Sequence, residues 1–344
     1  MPPPYLAGMR PQDLLVPRPE GLYCPPGDFY VDPVRPVPRA LITHAHSDHA
    51  RPGHGAVLAT EETLDIMALR IGADFAGARQ TAAYGEVIDV GSARVAFHPA
   101  GHVLGSAQIA VEAGGLRIVA AGDYKRGADP TCAGFVPVAC DVFITEATFG
   151  LPVFRHPDPA EEVGKLLASL AQFPERTHVI GVYALGKAQR LIGLLRQAGY
   201  DAPIHLHGAL RRVCDYYVSR GIDLGPLEDA TLARGSKERF AGTIVLAPPS
   251  AFAAPWIRRF ADPLASFASG WMQVRARARQ RGVELPLIIS DHCDWDELTL
   301  TLTELSPAEV WVTHGREEAL VRWCALNGLA ARPLHLVGYE DEPD

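Results

Sequence analysis

The chain has 344 residues, 48% of them hydrophobic and 21% charged, which suits a soluble globular protein of one large domain or two modest ones. Its formal net charge of −8 excludes a protein coated in positive charge, although not a local basic groove, and two bound divalent ions would cancel about half of the deficit. No apolar run approaches the roughly 20 residues of a membrane span, and Met1-Pro2-Pro3-Pro4-Tyr5 shows no basic-then-apolar leader, so the expected location is the cytoplasm with no membrane partner.

Residues 11–40 alternate short apolar runs with Pro and Gly. Leu14-Leu15-Val16, Leu22-Tyr23-Cys24 and Phe29-Tyr30-Val31 predict short strands joined by turns. Ala40-Leu41-Ile42 predicts a buried strand, and Thr43-His44-Ala45-His46-Ser47-Asp48-His49-Ala50 follows at its end. Three imidazoles and a carboxylate between His44 and His49 exceed anything a core requires. Nitrogen and oxygen ligands this close suit Zn²⁺ or Mn²⁺. His44 and His46 are two apart, so an extended segment points both to one side, while Asp48 and His49 come after the turn and can face a second ion.

Ala56–Thr60 predicts another strand, with Thr60 capping a helix through about Ile71 and Glu61 and Glu62 in its first turn. From Glu86 to Ala121 strand follows strand: Val87–Val90, Val95–His98, Ala107–Val111 and Leu116–Ala120, separated by Gly-containing turns. Two strand ends carry chemistry. Ala100-Gly101-His102-Val103-Leu104-Gly105-Ser106 places a histidine in a glycine-rich loop, and Ala121-Gly122-Asp123-Tyr124 places an aspartate after an apolar strand. The strand beginning at Asp141 again ends in an acid, Glu146, and residues 159–173 predict an amphipathic helix.

The texture then changes to strand–helix alternation: strands at Val179–Tyr183, Ile204–His207 and Ile244–Leu246, helices from Ala184 to about Ala198 and over 208–220. This is the pattern of a small parallel α/β unit, and its place between two regions of other character predicts an insertion over 160–285 inside a domain formed by 1–159 and 286–344. The last segment returns to the first style. Leu287–His292 predicts a strand ending in a histidine, Glu297–Leu305 a short helix, Glu309–Gly315 a strand ending in His314, and Glu317–Leu326 a closing helix. Six scattered cysteines, Cys24, Cys132, Cys140, Cys214, Cys293 and Cys324, form no C-x-x-C pair and are expected as reduced thiols.

The order His44, His46, Asp48, His49, then His102, Asp123 and His314, each at a strand end, resembles the metallo-β-lactamase superfamily with its H-x-H-x-D-H motif. The resemblance implies an α/β fold, a four-layer αβ/βα sandwich. It implies one ion on His44, His46 and His102, a second on Asp48, His49 and His314, and Asp123 bridging them. Thr145-Glu146-Ala147-Thr148-Phe149-Gly150, Ser290-Asp291-His292-Cys293-Asp294 and Thr313-His314-Gly315-Arg316-Glu317 resemble the later motifs of the β-CASP nucleases. Ala184-Leu185-Gly186-Lys187-Ala188-Gln189 resembles the start of their inserted domain, and Ser269-Gly270-Trp271-Met272 a later part of it. Within that group, length, the compact insertion, Thr148-Phe149-Gly150-Leu151-Pro152 and Ser290–Trp295 most resemble the bacterial ligase-associated DNA exonucleases, which are linked with an ATP-dependent DNA ligase and a helicase in repair. His314, which Artemis-type DNA nucleases usually lack, taken alone favours an RNA-type site.

The implied chemistry is phosphodiester hydrolysis with a metal-bridging hydroxide as nucleophile. Asp48 would orient that hydroxide. His292, not needed for the metal count, would protonate the leaving sugar oxygen, and Glu146 would hold its ring and keep it charged. Arg275, Arg277, Arg279 and Arg281, with Arg211-Arg212 and Arg258-Arg259, would line a groove for a phosphate backbone, and Lys187 at a helix start would meet a phosphate. His54, His98, His205 and His207 are expected to be structural. The alternatives are an RNA-processing β-CASP ribonuclease and, with the same cage, a small-ester or thioester hydrolase.

Overall fold

Short apolar runs punctuated by Pro and Gly pair into sheets because neither residue continues an element. The computed structural model describes residues 8–230 and 237–336; Met1-Pro2-Pro3-Pro4-Tyr5 lies outside the described residues. A one-turn helix α1 (Pro11–Leu14) precedes β1 (Val16–Arg18), β2 (Gly21–Cys24), β3 (Phe29–Val31), β4 (Arg39–Leu41), β5 (His54–Ala59), helix α2 (Glu61–Ile71) and β6 (Ala76–Thr81). These strands form one sheet in chain order, antiparallel from β1 to β3 and parallel from β3 to β6. Leu14–Val16 is therefore not a strand. Pro11 favours a helical first turn, and Arg10 and Asp13 bond each other locally, so the helix takes Leu14 and only Val16 enters β1.

The next strands are β7 (Val87–Val90), β8 (Ala93–Pro99), β9 (Ala107–Ala113), β10 (Leu116–Ala120) and β11 (Val142–Ala147). Their alternation of apolar and polar residues with Gly-Gly and Gly-Ser turns gives an antiparallel meander from β7 to β10, to which β11 adds in parallel.

Between Arg155 and Asp291 the chain forms a separate compact unit. It contains α3 (Pro159–Gln172), β12 (Thr177–Gly181), α4 (Lys187–Gln197), β13 (Ile204–Leu206), α5 (Gly208–Ser219), β14 (Leu227–Asp229), β15 (Ile244–Ala247), α6 (Ser250–Ala253), β16 (Pro263–Ala268), α7 (Arg275–Gln280) and β17 (Leu285–Leu287). All six strands are parallel, in the order β14-β13-β15-β12-β16-β17. The central β12 and β15 are buried at every position, as parallel strands covered on both faces must be.

The other unit comprises the chain through Phe154 and from His292 on. After His292 come α8 (Trp295–Leu305), β18 (Glu309–Gly315), α9 (Glu317–Leu326) and β19 (Ala330–Pro333), so a strand and not α9 is the last described element. β18 pairs in parallel with β11, and β19 with β18, completing the second sheet as β19-β18-β11-β10-β9-β8-β7. One core fills the space between the two sheets, with Leu22, Phe29 and Leu41 of the first meeting Phe97, Ile109, Ile144 and Trp311 of the second. A second core joins the opposite face of that second sheet, through Val119, Phe143 and Val312, to Trp295, Leu298 and Leu320 of α8 and α9.

The predicted strand Leu287–His292 stops at Leu287. Beyond it Ser290, Asp291 and Asp294 favour side-chain bonding over a ladder, and the amide of Cys293 donates to the carbonyl of Tyr124 at 2.8 Å. His292 is thus presented by a loop just ahead of Asp294, which caps α8. No described helix is long and apolar enough to cross a membrane.

Candidate metal centre

The site lies where strands of both sheets end. Ile42 continues β4 by donating to Leu58 at 3.1 Å, and the chain then turns through Thr43. Asp32, just past β3, organises that turn. Its φ of 43° is a left-handed backbone that aspartate tolerates. Its carboxylate accepts from the Thr43 amide at 2.7 Å, the Thr43 hydroxyl at 2.6 Å and His49 Nδ1 at 2.8 Å. With the Thr43 hydroxyl hydrogen committed to Asp32, His44 Nδ1 donates to Thr43 Oγ1 at 3.1 Å. Both rings are therefore oriented from behind and present Nε2 inward, the arrangement typical of metal-binding histidines.

Four donors, from His44, His46, His102 and Asp123, lie within 4.8 Å of one another, all on buried residues. His46 Nδ1 and His102 Nε2 are 3.0 Å apart, near the roughly 3.3 Å that two ligands of one tetrahedral ion would show. A second convergence joins His49, Asp123 and His314. Asp123 belongs to both groups: its Oδ2 is 3.4 Å from His44 Nε2 and 3.5 Å from His49 Nε2. Asp48 sits at the rim, with Oδ2 3.5 Å from His49 Nε2 and a buried Oδ1 that has no hydrogen-bond partner among the described residues.

Two backbone irregularities aim these groups. The register of β11 and β18 shifts between Glu146 and Ala147, so Glu146 faces Thr313, Ala147 faces Gly315, and His314 is the extra residue of a bulge with φ 54°. Gly101, at φ 75°, lets the His102 loop approach the Asp123 loop: a Cβ there would lie 2.2 Å from the carbonyl oxygen of Lys125.

Beside the cage, His292 Nδ1 donates to Glu146 Oε2 at 2.9 Å. Glu146 also accepts from the Thr148 hydroxyl at 2.6 Å and the Tyr124 amide at 2.9 Å. The His292 side chain is 19% exposed, against 0% for His44 and 1% for His49, and its ring centroid is 4.7 Å from that of His102. Glu146, fully enclosed, has its pKa pushed up by burial despite these donors.

Burial, and the neighbouring His49, hold His44 well below the ordinary imidazole pKa, so it is neutral, as a ligand must be. Burial and His49 likewise bring His314 down to about 4. Against the penalty of burial, Asp123 and Asp48 raise His49 well above its usual value, and His49 and His292 hold Asp123 well below the carboxylate range. So much opposed charge in a dry pocket is the demand that a divalent cation satisfies, and the donor set fits one.

The remaining candidates lie elsewhere. Lys187 opens α4 but is buried, with Nζ 3.1 Å from Asp291 and 4.7 Å from the ring centre of Tyr183. A buried ammonium needs such a partner, so Lys187 is paired with Asp291 in this structure. On α7, Arg275 and Arg279 are exposed, while Arg277 lies over the Trp271 ring at 4.1 Å. Arg211 bonds Asp215, and Arg259 stacks on Trp256. His207 caps α5 and His205 faces Glu228 at 3.7 Å. The six cysteines are thiols, not disulfides, and burial lifts the Cys293 thiol well above its usual pKa, which disfavours the thiolate. Sequence reasoning missed Asp32, Tyr124 and Lys125. Asp32 and Lys125 stand in no motif, and Tyr124, although it follows Asp123 in the quoted stretch, acts through its backbone, so only the contacts reveal them.

No family model matches the chain. A protein named "Probable DNA ligase" from Opitutus terrae is 28% identical over 324 residues, which is 88% of this chain and 30% of that protein. "Endoribonuclease ysh1" of Aspergillus fumigatus is 31% identical over 52% of this chain and 21% of its own length. "Cleavage and polyadenylation specificity factor 73" of Drosophila melanogaster is 31% identical over 39% of this chain and 21% of its own length. The chain thus spans less than a third of these relatives. In fold it is similar to a protein of unknown function from Enterococcus faecalis V583, with a TM-score of 0.56 at 13% identity, covering 88% of this chain and 80% of that one. With the histidine–aspartate centre in place, these similarities to proteins named as nucleases and as a DNA ligase support the resemblance to the β-CASP nuclease group of the metallo-β-lactamase superfamily.

Proposed function

We propose that this chain is a binuclear metal-dependent phosphodiesterase, a DNA exonuclease that acts in repair alongside an ATP-dependent DNA ligase and a helicase. The observation that carries the hydrolytic reading is the Glu146–His292 pair, an oriented and partly exposed imidazole set against a buried carboxylate-and-imidazole cage. Ions of Zn²⁺ or Mn²⁺, one on His44, His46 and His102, one on Asp48, His49 and His314, with Asp123 between, would neutralise phosphate charge and lower the pKa of water.

The chain's own groups divide the remaining work. Asp48 orients the attacking water in line with the phosphorus–oxygen bond that breaks. Glu146 fixes the His292 ring through Nδ1, leaving Nε2 to give its proton to the departing sugar oxygen, a step that typically contributes about 10²–10⁴-fold. The cage excludes bulk water, so its charges act at low dielectric on the transition state. Exposed Arg275 and Arg279, with Arg277, are the candidates to hold the phosphate backbone, and Lys187 would reach it only by leaving Asp291.

Similarity over 88% of the chain to a protein named for DNA ligase supports the DNA reading and the association with ligation. The second reading, an RNA-processing nuclease, is favoured by His314 and by the endoribonuclease relatives. The test is digestion of matched single-stranded DNA and RNA oligonucleotides, labelled separately at each end, with Mn²⁺ or Zn²⁺, against an Asp48→Ala, His49→Ala control. Stepwise shortening of DNA, absent in the control, is expected. Preferential RNA cleavage moves the chain to RNA processing, and cleavage of neither points to a small ester or thioester.

A further inference from the structure

We propose that Glu297, together with Lys125, is a positioning pair that sets His292 on Glu146, tying the loop of the metal-bridging aspartate to the loop of the proton donor. The proposal rests on the hydrolytic reading above and extends it to residues outside the motifs.

Glu297 is the third residue of α8, where a carboxylate ordinarily serves its own helix. It does so here, accepting from the Asp294 amide at 3.1 Å while Asp294 accepts from the Glu297 amide at 3.0 Å. The same carboxylate also takes the Lys125 ammonium through Oε2 and the Gly127 amide at 2.7 Å through Oε1. One side chain thus receives three donors, two of them from the segment that follows Asp123. The Lys125 side chain is 9% exposed and that of Glu297 19%, so the pair is largely withdrawn from solvent screening.

The backbone around this pair closes a loop of contacts on His292. Lys125 N donates to Ala100, two residues before His102, at 3.0 Å. Tyr124 N donates to Glu146, and Tyr124 O accepts from the amide of Cys293, the neighbour of His292. His292 lies on a loop and not on a strand, so no ladder fixes its position. Besides the bond of its own ring to Glu146, its backbone is held by Cys293 on Tyr124 and by the cap of α8, and both are anchored through Lys125 and Glu297. Displacing such a group by about 1 Å can cost on the order of 10²-fold in rate.

The experiment compares Glu297→Gln, Lys125→Met, Lys125→Arg, Glu146→Gln and the double variant Glu297→Gln, Glu146→Gln with the wild type, and takes Glu304→Gln as control. Glu304 lies on the same helix and bonds Arg126 at 2.6 Å at the surface. Three quantities are read: bound Mn²⁺ or Zn²⁺ per chain, kcat and KM on the oligonucleotide that the wild type cleaves, and the downfield ¹H resonance of the His292 Nδ1 proton, assigned by its loss in His292→Gln. Glu297→Gln and Lys125→Met are expected to keep the metal and hold KM within about two-fold. Both should lower kcat by about ten-fold or more and weaken the Nδ1 resonance. In the Glu146→Gln background Glu297→Gln should add little, because both act through one ring. Lys125→Arg should restore most of the rate. Unchanged kcat and an unchanged Nδ1 signal in both single variants would overturn the proposal. So would full additivity with Glu146→Gln. Should Glu297→Gln fail to fold, Lys125→Met, which leaves both backbone bonds of Glu297 intact, decides the matter. If the wild type cleaves no nucleic acid, the hydrolytic reading fails, while the Nδ1 resonance still reports whether the pair sets the ring.

Discussion

Glu146 and His292, 146 positions apart in the chain, meet at 2.9 Å through Oε2 and Nδ1. The contact crosses from the end of β11 to a loop beyond the inserted unit; neither residue is among the four donors around His44 or the three around His49, though both have a donor atom within 4.8 Å of one on Asp123. Removing the imidazole should therefore separate chemistry from metal binding. His292→Ala is expected to retain its metal and lose about 10²–10⁴-fold in kcat, by single-turnover cleavage with metal content measured on the same sample. Loss of metal in proportion to activity would instead make His292 a ligand.

Asp32 touches no proposed ion, yet it holds both Thr43 and His49. Asp32→Asn should weaken divalent-metal affinity by about 10–100-fold, read by competition with a chromophoric chelator. An affinity equal to that of the wild type would show that the His49 ring is oriented by other means.

The opposed charges of the cage make folding and metal binding one equilibrium. At a free metal concentration of about 100 times Kd, each occupied site adds about 2.7 kcal/mol to stability. Thermal unfolding with Zn²⁺ or Mn²⁺ should lie above that with chelator, and His102→Ala should narrow the gap. An unchanged melting temperature on chelation would contradict a bound ion.

Gly101→Ala should destabilise the protein by about 2–4 kcal/mol, from the left-handed backbone and the collision of its Cβ with the Lys125 carbonyl. The readout is the urea midpoint. A loss below about 0.5 kcal/mol would show that the two loops can part without cost.

Burial holds His178 below the ordinary imidazole value of 6.5, and its Nε2 meets Ser169 Oγ at 2.9 Å. The unfolded chain then binds more protons than the folded one, so this contribution to stability is present above pH 6.5 and is lost as pH falls. His49, with its raised value, works in the opposite sense, so the comparison must be a difference. The wild type should lose more stability than His178→Gln between pH 7.5 and pH 5.5. Parallel pH profiles would contradict this.

What could be read in the sequence was whatever carries a local pattern. His44 to His49 stand out because no core or surface needs such a density of ligands, and Thr60 announces α2 through a cap that depends on four neighbouring residues. β6 (Ala76–Thr81) was illegible because an exposed edge strand of Ala, Gly, Arg, Gln and Thr has no apolar alternation to show. Asp32 and Lys125 were illegible for a different reason: their partners lie 11 and 172 positions away, and a single acid before a proline or a lone lysine has no spacing to read. Glu297 was disguised, since its place in a helix cap already accounts for it.

The parallel pairing of β11 with β18 has a consequence for biosynthesis. Glu146 faces Thr313, and His314 occupies the bulge, so the last ligand is laid down only after the entire inserted unit has been translated. At about 5–20 residues per second, the roughly 170 residues between Glu146 and His314 take roughly 10–30 s to emerge from the ribosome. Throughout that interval the nascent chain already carries His44 through Asp123 but cannot close the second half of the cage. The convergence of His49, Asp123 and His314 therefore forms only once β18 has paired with β11, after the whole unit between them has been made.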